Sequence, residues 1–185
     1  MSDSDPNDVI AETDRIVIRP WRLDEAPRVL DIQSRIEVIK WLGDGEPVPM
    51  KDLDEARRRI RRYHGRSLSS PLGVWAIVPR ETGVPAGSVL LVELPNGAGE
   101  VEIGWHLHPD SHGRGYATEA AEPVLDRGFE GGLPEIYALT HTDNYPSQAV
   151  CRRLGLRDIG VVHRWYDGPS QAYRMTRQEW KSRQT

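Results

Sequence analysis

The sequence predicts a mixed α/β domain. Strand-like and helix-like segments follow in the order β-α-α-β-β-β-α-β-α-β-β. One segment, Glu100 to His108, alternates apolar and polar residues strictly, and a glycine-rich turn joins it to a helical pattern. The 185-residue length fits the roughly 100–200 residues of one domain and is enough to bury a core without metal or disulfide staples.

Residues 1 to about 12 hold little apolar material and read as a flexible tail, which leaves 13–185 as the single domain. Arg15-Ile-Val-Ile-Arg-Pro-Trp21 is β-branched and reads as the first strand, ending near Pro20. Asp24 offers an N-cap, with Glu25 in the first turn, to a helix carrying Leu30, Ile36, Val38 and Ile39. The loop Gly43–Pro49 precedes a second helix over about Asp52 to Tyr63. Its acids come first and Arg57, Arg58, Arg59, Arg61 and Arg62 last, matching the helix macrodipole. The arginine run reads as a solvated helix face, with attraction of an acidic acceptor as the weaker alternative.

Val74–Val78 and Ser88–Leu94 are strand-like, separated by a turn containing Gly83, Pro85 and Gly87. In the alternating strand, Val101, Ile103, Trp105 and Leu107 share one face, and Glu100, Glu102, His106 and His108 the other. Three consecutive strands then a helix predict an antiparallel meander feeding a crossover. The next helix carries Ala117, Ala120, Ala121, Val124, Leu125 and Phe129 at helical spacing and ends at Gly131-Gly132. Pro123 sits well inside it and predicts a kink or early break. Glu135–Thr140 is a strand, and Asp143 or Asn144 caps a short helix that Gly155 stops. Strand-like stretches near Gly160–Arg164 and Gln171–Met175 finish the pattern. Trp21, Trp75, Trp105 and Trp165 are expected in the core. So is Trp41, although its place beside the Gly/Pro loop also suits an acceptor pocket.

Composition excludes several function classes. A single cysteine, Cys151, rules out an intramolecular disulfide framework and a multi-cysteine zinc site, and fits a reducing compartment. Its apolar helix register reads as a small buried hydrophobe. The net charge of -4 argues against a nucleic-acid-binding protein. No apolar run approaches the roughly 20 residues of a membrane helix. The acidic, polar N-terminus lacks the features of a secretory signal, so the expected location is cytoplasmic, with no membrane partner.

The chemistry is concentrated in His112-Gly113-Arg114-Gly115-Tyr116-Ala117. Glycines let backbone approach an anion closely, and the first amides of a helix have no partners of their own. Together with the positive helix end they make a phosphate cradle. The string fits neither nucleotide fingerprint: GxxxxGK[ST] is absent from the chain, and Gly113-Arg-Gly115 is followed by Thr118 where a Rossmann turn needs its third small residue.

This turn resembles the pyrophosphate loop of the GNAT acetyltransferase superfamily, patterned Q/R-x-x-G-x-G/A. Gly115 and Ala117 fill the small positions, Arg114 a variable one, and His112 stands where the family prefers Gln or Arg. Glu102-Ile-Gly-Trp105, Ala117-Thr-Glu-Ala120, Asn144-Tyr-Pro-Ser147 and Arg153-Leu-Gly-Leu156 resemble, in the same order, segments of the ribosomal-protein-alanine N-acetyltransferase (RimJ/RimL-like) branch. The resemblance spans residues 13 to 180. It implies a mostly antiparallel central sheet of about six or seven strands flanked by about four helices. It also implies acetyl-CoA as co-substrate and direct acetyl transfer to a primary amine, on a protein N-terminus or a small molecule.

By the same resemblance, the amides of Gly113, Arg114, Gly115, Tyr116, Ala117 and Thr118, with His112 opening the loop, hold the pyrophosphate. Main-chain groups of Trp105 and Leu107 pair with the pantetheine arm like an added strand, and Asn144 orients the cofactor. An ammonium acceptor must lose a proton, which is easier for an α-amine of pKa about 7.7–8.0 than for a lysine near about 10.4. Glu102 is the first candidate base and His106 the second; Glu102 alternatively pairs with an arginine for structure. Many relatives carry an acidic tyrosine seven residues after the asparagine; here that position is Cys151, so Ser147 becomes the candidate acid or else a helix cap. Two other functions compete. His106 and His108 on one strand face, with Asp110, His112 or His141 as third ligand and Glu102 as base, would make a metal-dependent hydrolase. A non-catalytic CoA-binding sensor would share the fold. A homodimer is the plain expectation for a soluble oligomer.

Overall fold

The computed structural model describes residues 8–67 and 71–185. Strands β1 (Ala11–Glu12) and β2 (Ile16–Arg19) are followed by helices α1 (Ala26–Gln33), α2 (Ile36–Ile39) and α3 (Leu53–Ser67). The meander β3 (Gly73–Pro79), β4 (Gly87–Glu93) and β5 (Val101–Leu107) leads into α4 (Tyr116–Glu130). Then come β6 (Glu135–His141), α5 (Tyr145–Arg153), β7 (Arg157–Val162), β8 (Ser170–Thr176) and α6 (Arg177–Ser182). The strands form one sheet in the order β1-β2-β3-β4-β5-β6-β8-β7. Every neighbouring pair is antiparallel except β5–β6.

The described residues hold eight strands and six helices where about six or seven and about four were expected. The added pieces are short. Ala11 and Glu12, placed in the tail by composition, pair with Ile18 and Val17; the rest of that tail through residue 7 lies outside the described residues. α2 is a single turn, and α6 is opened by a reciprocal Thr176–Glu179 capping box.

Both faces of the sheet are covered. α4 and α5 pack on one face with Ile16, Trp75, Leu91, Ile103, Leu125 and Phe129 at the centre. α1 and α3 cover the other, where Trp21, Val29, Ile32, Ala56 and Ile60 meet Ala76 and Val78. This double cover explains a departure from the simple pattern. The polar face of β5 is not a water face: Glu102 and His108 are buried and His106 is half-buried beneath α1 and α3.

Local rules set most helix ends. Gly132 (φ +105°) and Gly155 (φ +74°) take the left-handed conformation after α4 and α5. Leu133 N–H bonds back to Gly128 and Leu156 N–H to Cys151, closing both last turns. α4 runs unbroken through Pro123, against the expected early break. Asp24 does not cap α1; a 3₁₀ turn at Leu23–Glu25 leads in instead. Glu25 receives the Arg22 amide (2.8 Å) and the Arg19 guanidinium. α3 begins close to the expected Asp52 but runs beyond Tyr63 to Ser67.

Candidate active site

The parallel pair β5–β6 is registered at one position, Glu102 with Tyr137. On its other side β5 stays paired with β4 as far as Leu107. His108 N–H donates to Ala86 C=O (2.7 Å) on the β4 side. Antiparallel alternation therefore turns the main chain of Trp105 and Leu107 toward β6, from which β5 has separated. A cleft of about 1430 Å³ opens in that split and is lined from β5, the glycine turn, β6, α5, α3 and the loops at 41–48 and 166–170. Trp105 and Trp41 line it, while Trp21, Trp75 and Trp165 are core as expected. Trp41 meets His141 edge-on at 5.7 Å between ring centres.

The turn at one end is built for an anion. Gly113 (φ +73°) and Gly115 (φ +80°) both lie in the left-handed region, which glycine enters at no steric cost. The first bond of α4 runs from Glu119 N–H to Gly115 C=O (3.1 Å), so Tyr116, Ala117 and Thr118 amides have no helical acceptor. No side chain caps the helix. His112, Gly113, Gly115, Tyr116, Ala117 and Thr118 all line the cleft. His112 Nε2 donates to Leu107 C=O (3.2 Å), tying the turn to the strand end. Arg114, expected in the cradle, does not line the cleft: its side chain reaches toward Glu81 (3.8 Å).

Arg15 buttresses this turn and went unnoticed in the sequence. Its guanidinium donates to Arg114 C=O (3.1 Å) and to Glu119 (Nε, 2.8 Å), and lies 5.4 Å from the Tyr116 ring centre. Thr13 also donates to Glu119. Residues at the start of the chain thus grip the first turn of α4, roughly 100 positions away.

Glu102 stands where β5 leaves β6. Its carboxyl is buried, and burial pushes its pKa up to about 7 despite the opposing hydrogen bond from the Tyr166 hydroxyl. Burial and then the charge of Glu102 push the Tyr166 phenol further up, so it stays a donor. The segment carrying Tyr166 is held by Asp167 N–H donating to Asp44 (3.0 Å), by Asn96 donating to Trp165 C=O (2.9 Å), and by Trp165 packing on Tyr137. No local pattern marked Tyr166. The expected arginine partner for Glu102 does not occur among the described residues.

His106 is a different group. Burial first, and the nearby charge of Arg59 second, push its imidazole down to about 4. Its Nε2 lies 3.1 Å from the Gln33 amide nitrogen. His108 Nε2 lies 3.0 Å from Asp31, while its Nδ1 accepts from Asp110 N–H. The two imidazoles are thus engaged separately. Among the described residues no group of three or more His, Cys, Asp and Glu could hold a metal ion.

On α5, Asn144 caps the helix by accepting from Ser147 N–H (3.3 Å), and both residues line the cleft. Cys151 lies in the core, where burial pushes its thiol up to about 12. Of the arginine run, Arg57, Arg58, Arg61 and Arg62 are exposed, as a solvated face requires, but Arg59 lines the cleft.

A split parallel pair with a glycine turn of free amides at one end and a buried carboxyl at the other has the form of a transferase site for a phosphate-bearing donor. The Acetyltransferase (GNAT) domain family matches residues 15–157, and the chain belongs to that family. It is therefore an acyltransferase, of the N-acetyltransferase kind that uses acetyl-CoA. The chain is 27% identical over 151 residues to an uncharacterized N-acetyltransferase, p20, of Bacillus licheniformis, covering 81% of this chain and 83% of that one. Its fold matches the ribosomal-protein-S5-alanine acetyltransferase of Vibrio fischeri with a TM-score of 0.74 at 15% identity, over 92% and 97% of the two chains. It also matches the microcin C7 self-immunity acetyltransferase MccE, solved with acetyl-CoA and AMP, with a TM-score of 0.73 at 19% identity, over 89% and 93%. The cradle, its uncapped amides and the turned-out edge of β5 fit a pyrophosphate and a pantetheine arm.

Proposed function

We propose that the protein transfers acetyl directly to a primary amine held over the β5 side of the cleft, with Glu102 as general base. The observation that carries this is a buried carboxyl of pKa about 7 at the point where the sheet splits. Acetyl-CoA supplies the acetyl group as a thioester. Amides of Gly113 to Thr118 hold its phosphates, and the outward main chain of Trp105 and Leu107 aligns the arm as an added strand. Glu102 accepts the proton of the incoming ammonium, and Tyr166 keeps that carboxyl oriented. Ser147 Oγ carries the proton that the departing sulfur takes, while Asn144 fixes the α5 end of the channel. His106, held neutral with Nε2 facing the Gln33 amide, is the weaker base. The fold match to the S5-alanine enzyme supports membership of the RimJ/RimL-like branch. The acceptor is a protein N-terminal amine or a small-molecule amine.

Glu102→Gln tests the reading. Thiol release from acetyl-CoA over an amine panel is expected to fall by about 100-fold or more in kcat. In the parent protein kcat/KM rises with pH through about 7, the pKa of Glu102, and the substitution removes that limb. Stability moves the other way. The folded carboxyl holds its proton up to about 7 and the unfolded one up to 4.5, so ionisation costs stability as pH rises through this window. The variant should melt higher than the parent at pH 8. Unchanged turnover in Glu102→Gln would remove Glu102 from the chemistry.

A further inference from the structure

We propose that the acceptor carries a carboxylate in the same molecule as its amine, and that Arg59 with His106 receives it. This deepens the N-acetyltransferase reading and rests on it.

Two buried donors stand unsatisfied at one end of the cleft. Arg59 Nε and His106 Nδ1 are both enclosed and have no hydrogen-bond partner among the described residues, and both residues line the cleft. The Gln33 amide faces His106 Nε2, so in the neutral ring the proton sits on Nδ1, which then donates. Both side chains line the one cleft, and the Arg59 charge adds to the burial that lowers the His106 imidazole. Among the described residues no carboxylate lies within ion-pair distance of Arg59; a hydrogen bond with the Tyr63 hydroxyl steadies it. A guanidinium without a counterion and an unpartnered ring N–H lining one cleft ask for an anion, because unmade buried hydrogen bonds are costly.

The charges around it choose the anion. The cleft is lined by Arg66 and Arg153 as well as by three acids, Glu37, Asp44 and Glu46, which favour a cationic amine entering it. These acids disfavour a phosphate dianion, whereas a carboxylate brings a single charge that a guanidinium takes side-on. Spacing is set by β5: Glu102, Gly104 and His106 share one face, with the Leu90 side chain packed over Gly104 between the other two. The two ends are separated by about 13 Å of strand, less the reach of the side chains.

The test uses paired probes: glycine, β-alanine, 4-aminobutanoate and 6-aminohexanoate, each against its carboxamide. A peptide beginning with Glu against one beginning with Gln separates a protein source from a small-molecule source. Thiol release gives kcat/KM for each, and calorimetry gives binding of the N-acetylated probes with and without CoA. At least one acid is expected to exceed its amide by about tenfold in rate or binding. Arg59→Gln should bring that ratio toward one, Arg59→Lys should restore part of it, and Arg58→Gln, an exposed arginine of the same helix, should leave it unchanged. Acid-to-amide ratios of one throughout, or an Arg59→Gln ratio equal to that of the parent, would overturn the proposal. Failure of acetyl-CoA itself to bind would instead bring down the transferase reading; the ratios measured without CoA judge Arg59 in either case.

Discussion

One wall of the cleft is made of backbone and the other of side chains. On the proposed donor wall, Gly113 and residues 115–118 line the cleft around two left-handed glycines, and the main chain of Trp105 and the Leu107 N–H lie on the edge of β5 that β6 leaves. On the proposed acceptor wall, Glu102 and His106 of β5, Arg59, Tyr166 and Trp41 come from four separated stretches of chain. A backbone wall depends little on side-chain identity and can be written in a short motif. A side-chain wall can be rewritten one residue at a time, which makes it the natural place for specificity.

The largest effect that would break this division is expected at Gly115. Gly115→Glu places a Cβ 3.5 Å from Arg15 Nη2, an ordinary contact, so the chain should still fold at a cost of about 1–2 kcal/mol for a left-handed non-glycine. Its carboxylate, however, sits in the phosphate cradle. Calorimetry should show acetyl-CoA affinity reduced by about 100-fold or more, with the melting temperature lowered only modestly. Retained affinity would mean that the phosphates lie elsewhere.

A smaller effect sharpens the comparison, because Arg15 is a side chain serving the backbone wall. It is more than half exposed, so its ion pair with Glu119 adds little to overall stability. Its work is to hold the Arg114 carbonyl and the first turn of α4 in place. Arg15→Ala should weaken acetyl-CoA binding by about 3- to 10-fold while leaving the melting temperature close to that of the parent. Equal affinity would show that the two glycines preorganise the turn unaided.

The same division explains what could be read from the sequence. The glycine turn, the Asn144 cap and the stops at Gly132 and Gly155 act within a few residues, and each was legible. Alternation correctly assigned the two faces of β5 but not their environments, because α1 and α3 cover the polar one from elsewhere in the chain. The arginine run looked uniform; helix geometry turns Arg59 into the cleft and leaves its neighbours in water. Tyr166 meets Glu102 across 64 positions and Arg15 meets Glu119 across 104, distances at which no spacing rule operates. Trp41, assigned to the core by default, lines the cleft because the Gly43–Pro49 loop folds against the segment after β7.

Cys151 is the smallest test, and it separates position in a motif from position in space. By register it occupies the place of an acidic tyrosine in many relatives, yet its side chain is fully buried among Leu154, Leu156 and Tyr173 rather than lining the cleft. From the core, the Cys151 thiol cannot reach a sulfur departing in the cleft. Cys151→Ala should therefore keep kcat/KM within about twofold across the pH range, while the small cavity lowers stability by about 1 kcal/mol in urea unfolding. Ser147→Ala, measured beside it, carries the contrast: Ser147 lines the cleft one helical turn earlier, and a loss of kcat there with none at Cys151 places the proton donor on the hydroxyl. A tenfold loss at Cys151 with unchanged stability would return the role to the thiol and require α5 to rotate on binding its substrates.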